Sequence, residues 1–234
     1  MTPPSTALIV GTGPGLSASL ARALAARGHR LILAARDTSD LATLAEETSA
    51  TLVNADATSP DDQARLFDAV DAQEGPLAVS VYNAAARPRG PITDLDPDDV
   101  LRTLTVCAHG AFLTAQNAAR RMLAAGGGTM LFTGASAGVK GYSNSASFAM
   151  RKFALRGLCQ SLARELHPQG VHIGHVVVDG GIAGTPQSGR VNERGGPDSM
   201  LDPDELAKAY LALIDQHRSV WSWETEVRPW VEAF

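Results

Sequence analysis

The sequence predicts an α/β fold: a doubly wound parallel sheet of about seven strands with helices on both faces. Three observations carry this. Short apolar runs alternate with segments of helical periodicity along nearly the whole chain, the order that parallel strands and crossover helices produce. A glycine-rich turn, Val10-Gly11-Thr12-Gly13-Pro14-Gly15-Leu16-Ser17, follows the first apolar run and opens the first helix. No repeat, low-complexity run or linker divides the 234 residues, a length that suits one domain with a sizeable core.

Each element has a local reason. Residues 7–10 are an apolar run of strand length, and Leu16, Leu20 and Leu24 then recur every fourth position on a helix. Residues 30–35 read as strand two, 40–48 as a helix and 51–54 as a short third strand. The helix over 60–73 begins after Ser59, a good N-cap, with Pro60 in its first turn. Strand four covers 77–82. A long helix spans 97–124, with Leu101, Leu104, Ala108, Phe112 and Ala115 as its apolar stripe, and Gly126-Gly127-Gly128 stops it. Strand five covers 129–133, and a helix over 145–166 carries Met150, Ala154, Leu158, Leu162 and Leu166 on one face. Strand six covers 171–178. From about 180 to 201 the chain is rich in Gly, Pro, Ser and Asn and has no periodicity, which predicts a substrate lid. Asp202 caps a helix over 202–216, and 221–228 is a last strand. Trp221, Trp223 and Trp230 gather there, either as an oligomer contact or as packing of the edge strand on its own core.

Composition excludes several classes of function. The net charge of −5, with no cluster of Lys or Arg, argues against a nucleic-acid partner. No apolar run approaches ~18 residues, so no membrane span is expected. The N-terminus lacks the charged and apolar regions of a signal peptide, which predicts a cytoplasmic protein. Cys107 and Cys159 lie inside helical patterns and read as reduced, buried residues. Neither they nor the six His residues show metal-ligand spacing, so no metal is expected.

A strand, a glycine turn and a helix together make a phosphate site. The glycines let the backbone approach the anion, and the helix N-terminus presents unpaired N–H groups. In parallel sheets ligands bind at the C-terminal strand ends. Strand two ends on Ala34-Ala35-Arg36, where an NAD protein is expected to carry a ribose-binding acid; a guanidinium there suits a 2′-phosphate instead. Asp37 either opposes this or begins the next turn. Asn54-Ala55-Asp56-Ala57 and Tyr82-Asn83-Ala84-Ala85 end strands three and four on the same edge. Asp56 is a candidate partner for an adenine amino group, or a loop cap.

In this order the residues resemble the short-chain dehydrogenase/reductase family over essentially the whole chain. The family's Thr-Gly-x-x-x-Gly-x-Gly stands here as Val10-Gly11-x-x-x-Gly15-Leu16-Ser17 and its Asn-Asn-Ala-Gly as Tyr82-Asn83-Ala84-Ala85. Its Tyr-x-x-x-Lys stands as Phe148-Ala149-Met150-Arg151-Lys152, and its Pro-Gly as Asp179-Gly180, followed by Ile182 and Thr185. The resemblance implies a single NAD(P)-binding Rossmann-type domain over 1–234. It implies that Gly11, Gly15, Leu16, Arg36, Asp56, Asn83, Lys152, Ile182 and Thr185 lie along NADP(H). Thr12, Gly13 and Pro14 of the turn, with Ala57, Ala84, Ala85 and Gly180, complete that pocket. The family also implies a homodimer or homotetramer built on the two long helices, the second of which contains Gly157.

The family's proton relay of Asn, Ser, Tyr and Lys falls here on Cys107, on Ala135 or Ser136, on Phe148 and on Lys152. Phe148 carries no proton. Lys152 is kept as a catalytic candidate, and Ser136, Tyr142 and a water held by Lys152 are candidate proton donors. The expected function is NADP(H)-dependent oxidoreduction of a small carbonyl, imine or activated alkene. The alternatives are a nucleotide-binding protein without redox activity, regulatory or structural, and a non-redox isomerase or lyase.

Overall fold

The computed structural model describes residues 4–85, 88, 90–184 and 196–232. Seven strands form one parallel sheet in the order β3-β2-β1-β4-β5-β6-β7. They are β1 (Thr6–Val10), β2 (Arg30–Ala35), β3 (Thr51–Asn54), β4 (Leu77–Tyr82), β5 (Gly128–Thr133), β6 (Val171–Val178) and β7 (Glu224–Val227). The helices are α1 (Leu16–Ala26), α2 (Ala42–Thr48), α3 (Pro60–Asp71), α4 (Pro97–Leu104), α5 (Gly110–Ala124), α6 (Ala146–Leu166) and α7 (Pro203–Ile214). One core, under α1, α2 and α7, holds Leu20, Leu24, Leu44, Val176 and Tyr210; the other, under α3, α5 and α6, holds Leu66, Phe67, Ala115, Leu155 and Ile173. The chain leaves β1 toward β2 and β3, then crosses back to β4. The topological switch therefore lies between β1 and β4, where such sheets open a crevice at their C-terminal ends.

The caps read from sequence are present. The Ser59 side chain accepts from Asp62 N–H, and the Asp202 carboxylate accepts from the N–H groups of Asp204 and Glu205. Asp96 caps α4 in the same way through Asp98 and Asp99 N–H.

Two helices depart from expectation. The helix expected over 97–124 is broken by a π-turn at Thr105–His109. The Tyr82 hydroxyl donates to Val106 O at 2.5 Å, and a Cβ on Gly110 would lie 2.4 Å from that hydroxyl, so Tyr82 is wedged beneath the turn. A π-turn inserts one residue and rotates the downstream helix face by about 100°. Phe112, downstream of it, is accordingly exposed, while Cys107, Ala111, Ala118 and Met122 join Ala115 in the core; Leu101, upstream, is exposed as well. On α6 the buried line is Arg151, Leu155, Cys159, Ala163 and Leu166; it agrees with the expected stripe at Leu166, lies one position along from it elsewhere, and leaves Met150 exposed. Arg151 and Lys152 are both buried. The helix runs unbroken through Gly157, which is exposed, with open space where a Cβ would stand.

Trp221 stacks on His172 at 4.7 Å between centroids and donates its Nε1 hydrogen to Gln216 O; Trp223 lies under Arg156. These two pack on their own chain, whereas Trp230 is exposed. The strand is shorter than expected, since Trp221 belongs to the segment leading into it.

Candidate nucleotide cleft and active site

The glycine turn is built for close backbone approach. Gly11 has φ +85°, and a Cβ on it would lie 2.3 Å from Ala84 N and 2.4 Å from Ala84 Cα. It occupies the gap where β1 passes between β2 and β4: Gly11 N–H donates to Ala34 O, and Asn83 N–H donates to Val10 O. Asn83 Nδ2 donates to Ser17 Oγ at 2.7 Å, and Ser17 Oγ donates to Gly11 O, tying the turn to the end of β4. Thr12 Oγ1 closes the turn by donating to Ile9 O. Gly15, at φ +93°, leads into Leu16 and the N-terminus of α1, with Gly13 and Pro14 on the preceding turn.

Beside this turn lies a cleft of about 520 Å³. Gly11 and Thr12 form one wall, Asn83, Ala84 and Ala85 another, and Asp56 and Ala57 a third. Arg36 and Asp37 stand at its β2 end, both exposed. Asp37 accepts from Ser39 N–H, which holds its pKa below the ordinary carboxylate value and makes it the start of the next turn. Arg36 makes no ion pair among the described residues. Asp56 caps its own loop, accepting from Thr58 N–H and Oγ1, while its own N–H donates to Asp62. A backbone cradle and apolar alanine walls fit an adenine dinucleotide, with the Arg36 guanidinium at the β2 end.

Further along the same sheet edge, Lys152 is 5% exposed and its Nζ donates to Thr133 O at 2.6 Å, at the end of β5. Phe148 stands one turn earlier on α6, with the guanidinium of the buried Arg151 4.7 Å from its ring centroid. Cys107 is buried in the π-turn and Ala135 is buried after β5. Ser136 opens a short 3-10 turn, and its carbonyl accepts from Val139 and Lys140 N–H. Tyr142 is 43% exposed, with Lys140 above its ring. Gly180 follows the buried Asp179 at the end of β6. Ile182 bridges Leu201, so the two ends of the expected lid are stitched together at its base. Thr185 and the rest of 185–195 lie outside the described residues.

The family model for short chain dehydrogenases matches residues 5–195. The chain belongs to the short-chain dehydrogenase family. A cis-4-hydroxycyclohexanecarboxylate dehydrogenase of Sinomonas cyclohexanicum is 31% identical over 185 residues, covering 77% of this chain and 74% of the relative. A solved short-chain dehydrogenase from Rhodopseudomonas palustris superposes with a TM-score of 0.82 at 31% identity, covering 97% of this chain and 99% of that one. A metagenomic short-chain oxidoreductase solved in complex with NADP superposes at 0.81, with 26% identity and coverage of 96% and 97%.

Against this dehydrogenase background, sequence reasoning missed a hydrogen-bonded group behind α6, centred on a buried histidine. His175 on β6 is fully buried, and its Nδ1 lies 3.0 Å from Glu224 Oε2 on β7. Arg156 of α6 grips the same carboxylate with two hydrogen bonds, at 2.6 and 2.7 Å. Burial pushes the His175 pKa down to about 4, more than the neighbouring carboxylate raises it. Burial opposes the Glu224 charge, but Arg156 and His175 outweigh it and its pKa is lowered. The imidazole is therefore neutral at pH 7, with Nδ1–H donating to Glu224. A second hollow, around His167, Arg218 and Trp221, lies at the opposite, N-terminal end of β6, away from the ligand edge.

Proposed function

We propose that this short-chain dehydrogenase is an NADP(H)-dependent oxidoreductase acting on a small carbonyl, imine or activated alkene, with a proton donor other than residue 148. The observation that carries it is the exposed Arg36 at the mouth of the cleft, just past the end of β2; in this reading its guanidinium takes a 2′-phosphate. The relative solved with NADP supports the cofactor class. When bound, the nicotinamide supplies hydride chemistry. The chain's own residues hold the ends: Gly11, Thr12, Gly13, Pro14, Gly15 and Leu16 the phosphates, Asp56, Ala57, Asn83, Ala84 and Ala85 the adenosine, and Lys152, Gly180, Ile182 and Thr185 the nicotinamide side. Exposed Leu101, Phe112, Met150 and Phe153 on α4, α5 and α6 support a homodimer or homotetramer, since such apolar surface favours a partner. Among the described residues no helix is long and apolar enough to cross a membrane, and a cytoplasmic small-molecule enzyme is the reading we adopt.

Phe148 favours a second reading, nucleotide binding without turnover. Calorimetric titration with NADPH and NADH tests the first step. Hydrogen bonds to charged groups contribute about 1.5–3 kcal/mol, so Arg36→Ala is expected to weaken NADPH binding roughly 10- to 100-fold and to leave NADH binding unchanged. Equal loss for both cofactors would remove Arg36 from the 2′-phosphate. Tight NADPH binding without hydride transfer to any ketone, imine or quinone would favour the second reading.

A further inference from the structure

A phenol and a lysine stand together on the loop that leaves β5. We propose that Tyr142, supported by Lys140 and Asp179, exchanges the substrate's proton in the role that Phe148 cannot take. The proposal rests on the oxidoreductase reading above.

The loop is seated on Lys152. A Cβ on Gly138 would lie 3.1 Å from Lys152 O and 3.5 Å from Lys152 Cβ, so the turn beginning at Ser136 packs against the helix at that residue. The Ser136 carbonyl takes the N–H groups of both Val139 and Lys140 at 3.0 Å, which fixes where Lys140 leaves the turn. The Lys140 ammonium lies 5.5 Å from the Tyr142 ring centroid and 3.7 Å from Asp179 Oδ2. Asp179, 4% exposed at the end of β6, also meets Arg228 at 3.3 Å. Arg228 in turn pairs with Glu226 of β7 and lies in the field of Glu232. A buried carboxylate thus anchors a lysine, and the lysine faces a phenol exposed enough to meet a solute. The Tyr142 hydroxyl, and then Asp179, hold the Lys140 pKa above its ordinary value, which keeps the ammonium charged beside the phenol.

In the reductive direction a bound nicotinamide reductant would supply the hydride that the substrate carbon accepts. The Tyr142 O–H bond breaks, and its proton goes to the substrate heteroatom that gains the electron pair. The Lys140 ammonium faces the resulting phenolate, and solvent returns the proton. Oxidation is the same path reversed. Lys140 and Asp179 act through Tyr142 and are positioning residues.

The chain has three tyrosines. Tyr82 and Tyr210 are buried, with phenol pKa values driven upward by that burial, whereas Tyr142 is exposed. An ultraviolet difference titration of the whole protein follows the exposed phenol. Tyr142→Phe removes it, and Lys140→Met moves its midpoint up by about one pH unit. Both variants should bind NADPH as the wild type does. Losing general acid catalysis lowers kcat by about 10² or more, so Tyr142→Phe should lower turnover of small ketones by that factor. A midpoint that Lys140→Met does not move overturns the proposal. So does turnover that survives Tyr142→Phe, or a wild type that reduces no ketone, imine or activated alkene. Failure of the wild type to bind NADPH overturns the oxidoreductase reading itself, and this proposal with it.

Discussion

Gly11→Ala is expected to destabilise the chain by about 3 kcal/mol or more. The added Cβ would meet Ala84 N at 2.3 Å, Ala84 Cα at 2.4 Å and Asn83 C at 2.7 Å. All three are backbone atoms at the β4 terminus, so no rotamer change relieves the clash. Overpacking typically costs about 1–3 kcal/mol, and left-handed φ costs a non-glycine residue about 1–2 kcal/mol more. Since folded domains are stable by only about 5–15 kcal/mol, a large share of the native state's margin is at stake. Gly13→Ala is the control. Its Cβ meets nothing within 4 Å and Gly13 is not left-handed, so stability should barely change. Urea denaturation midpoints of the two variants check this. Equal midpoints would mean that the C-terminal ends of β1 and β4 can move apart freely. In Gly11→Ala the walls formed by Gly11 and Ala84 must move apart, so residual folded protein should also bind NADPH poorly.

The contrast between these glycines marks what was legible in the sequence. The order of strands and helices, the glycine turn and the caps at Ser59 and Asp202 follow from local chemistry, and local chemistry is written in consecutive residues. The π-turn is not, because its cause is Tyr82, a side chain on β4 more than twenty residues earlier. The same limit explains α6. The expected stripe began at Met150, but Met150 is exposed and the buried line begins at Arg151, whose guanidinium finds the Phe148 ring, while Lys152 finds the Thr133 carbonyl. Within the site, Gly11, Asn83 and Arg36 were readable because strand ends in a parallel sheet converge on one edge. The anchoring of Lys140 by Asp179 was hidden, since only the end of β6 brings them together. So was the His175–Glu224–Arg156 group, whose members come from three elements, with β6 reading as an ordinary apolar run interrupted by histidines.

That buried group sets the second large effect, a loss of stability in mild acid. His175 has a pKa of about 4 in the folded chain, against an ordinary value of 6.5. As pH falls below 6.5 the unfolded chain takes up this proton and the folded chain does not. Stability therefore falls with pH through this window and levels off once the folded imidazole protonates near 4. Between pH 7 and 5 His175 alone should remove about 2 kcal/mol. Glu224, whose folded pKa is lowered, adds its loss only below the ordinary carboxylate range, outside that interval. His29, His167 and His172, also lowered chiefly by burial, act in the same direction as His175. The experiment compares urea unfolding at pH 7 and pH 5 in the wild type and in His175→Gln, whose side-chain amide can still donate to Glu224. The variant starts less stable, but its loss between the two pH values should be smaller by about 2 kcal/mol. An identical loss in both proteins would show that His175 is protonated, or reached by water, in the folded state. The link between α6 and β7 would then be an ion pair of His175 and Arg156 with Glu224, and acid would leave it intact down to the pH at which the carboxylate itself is lost.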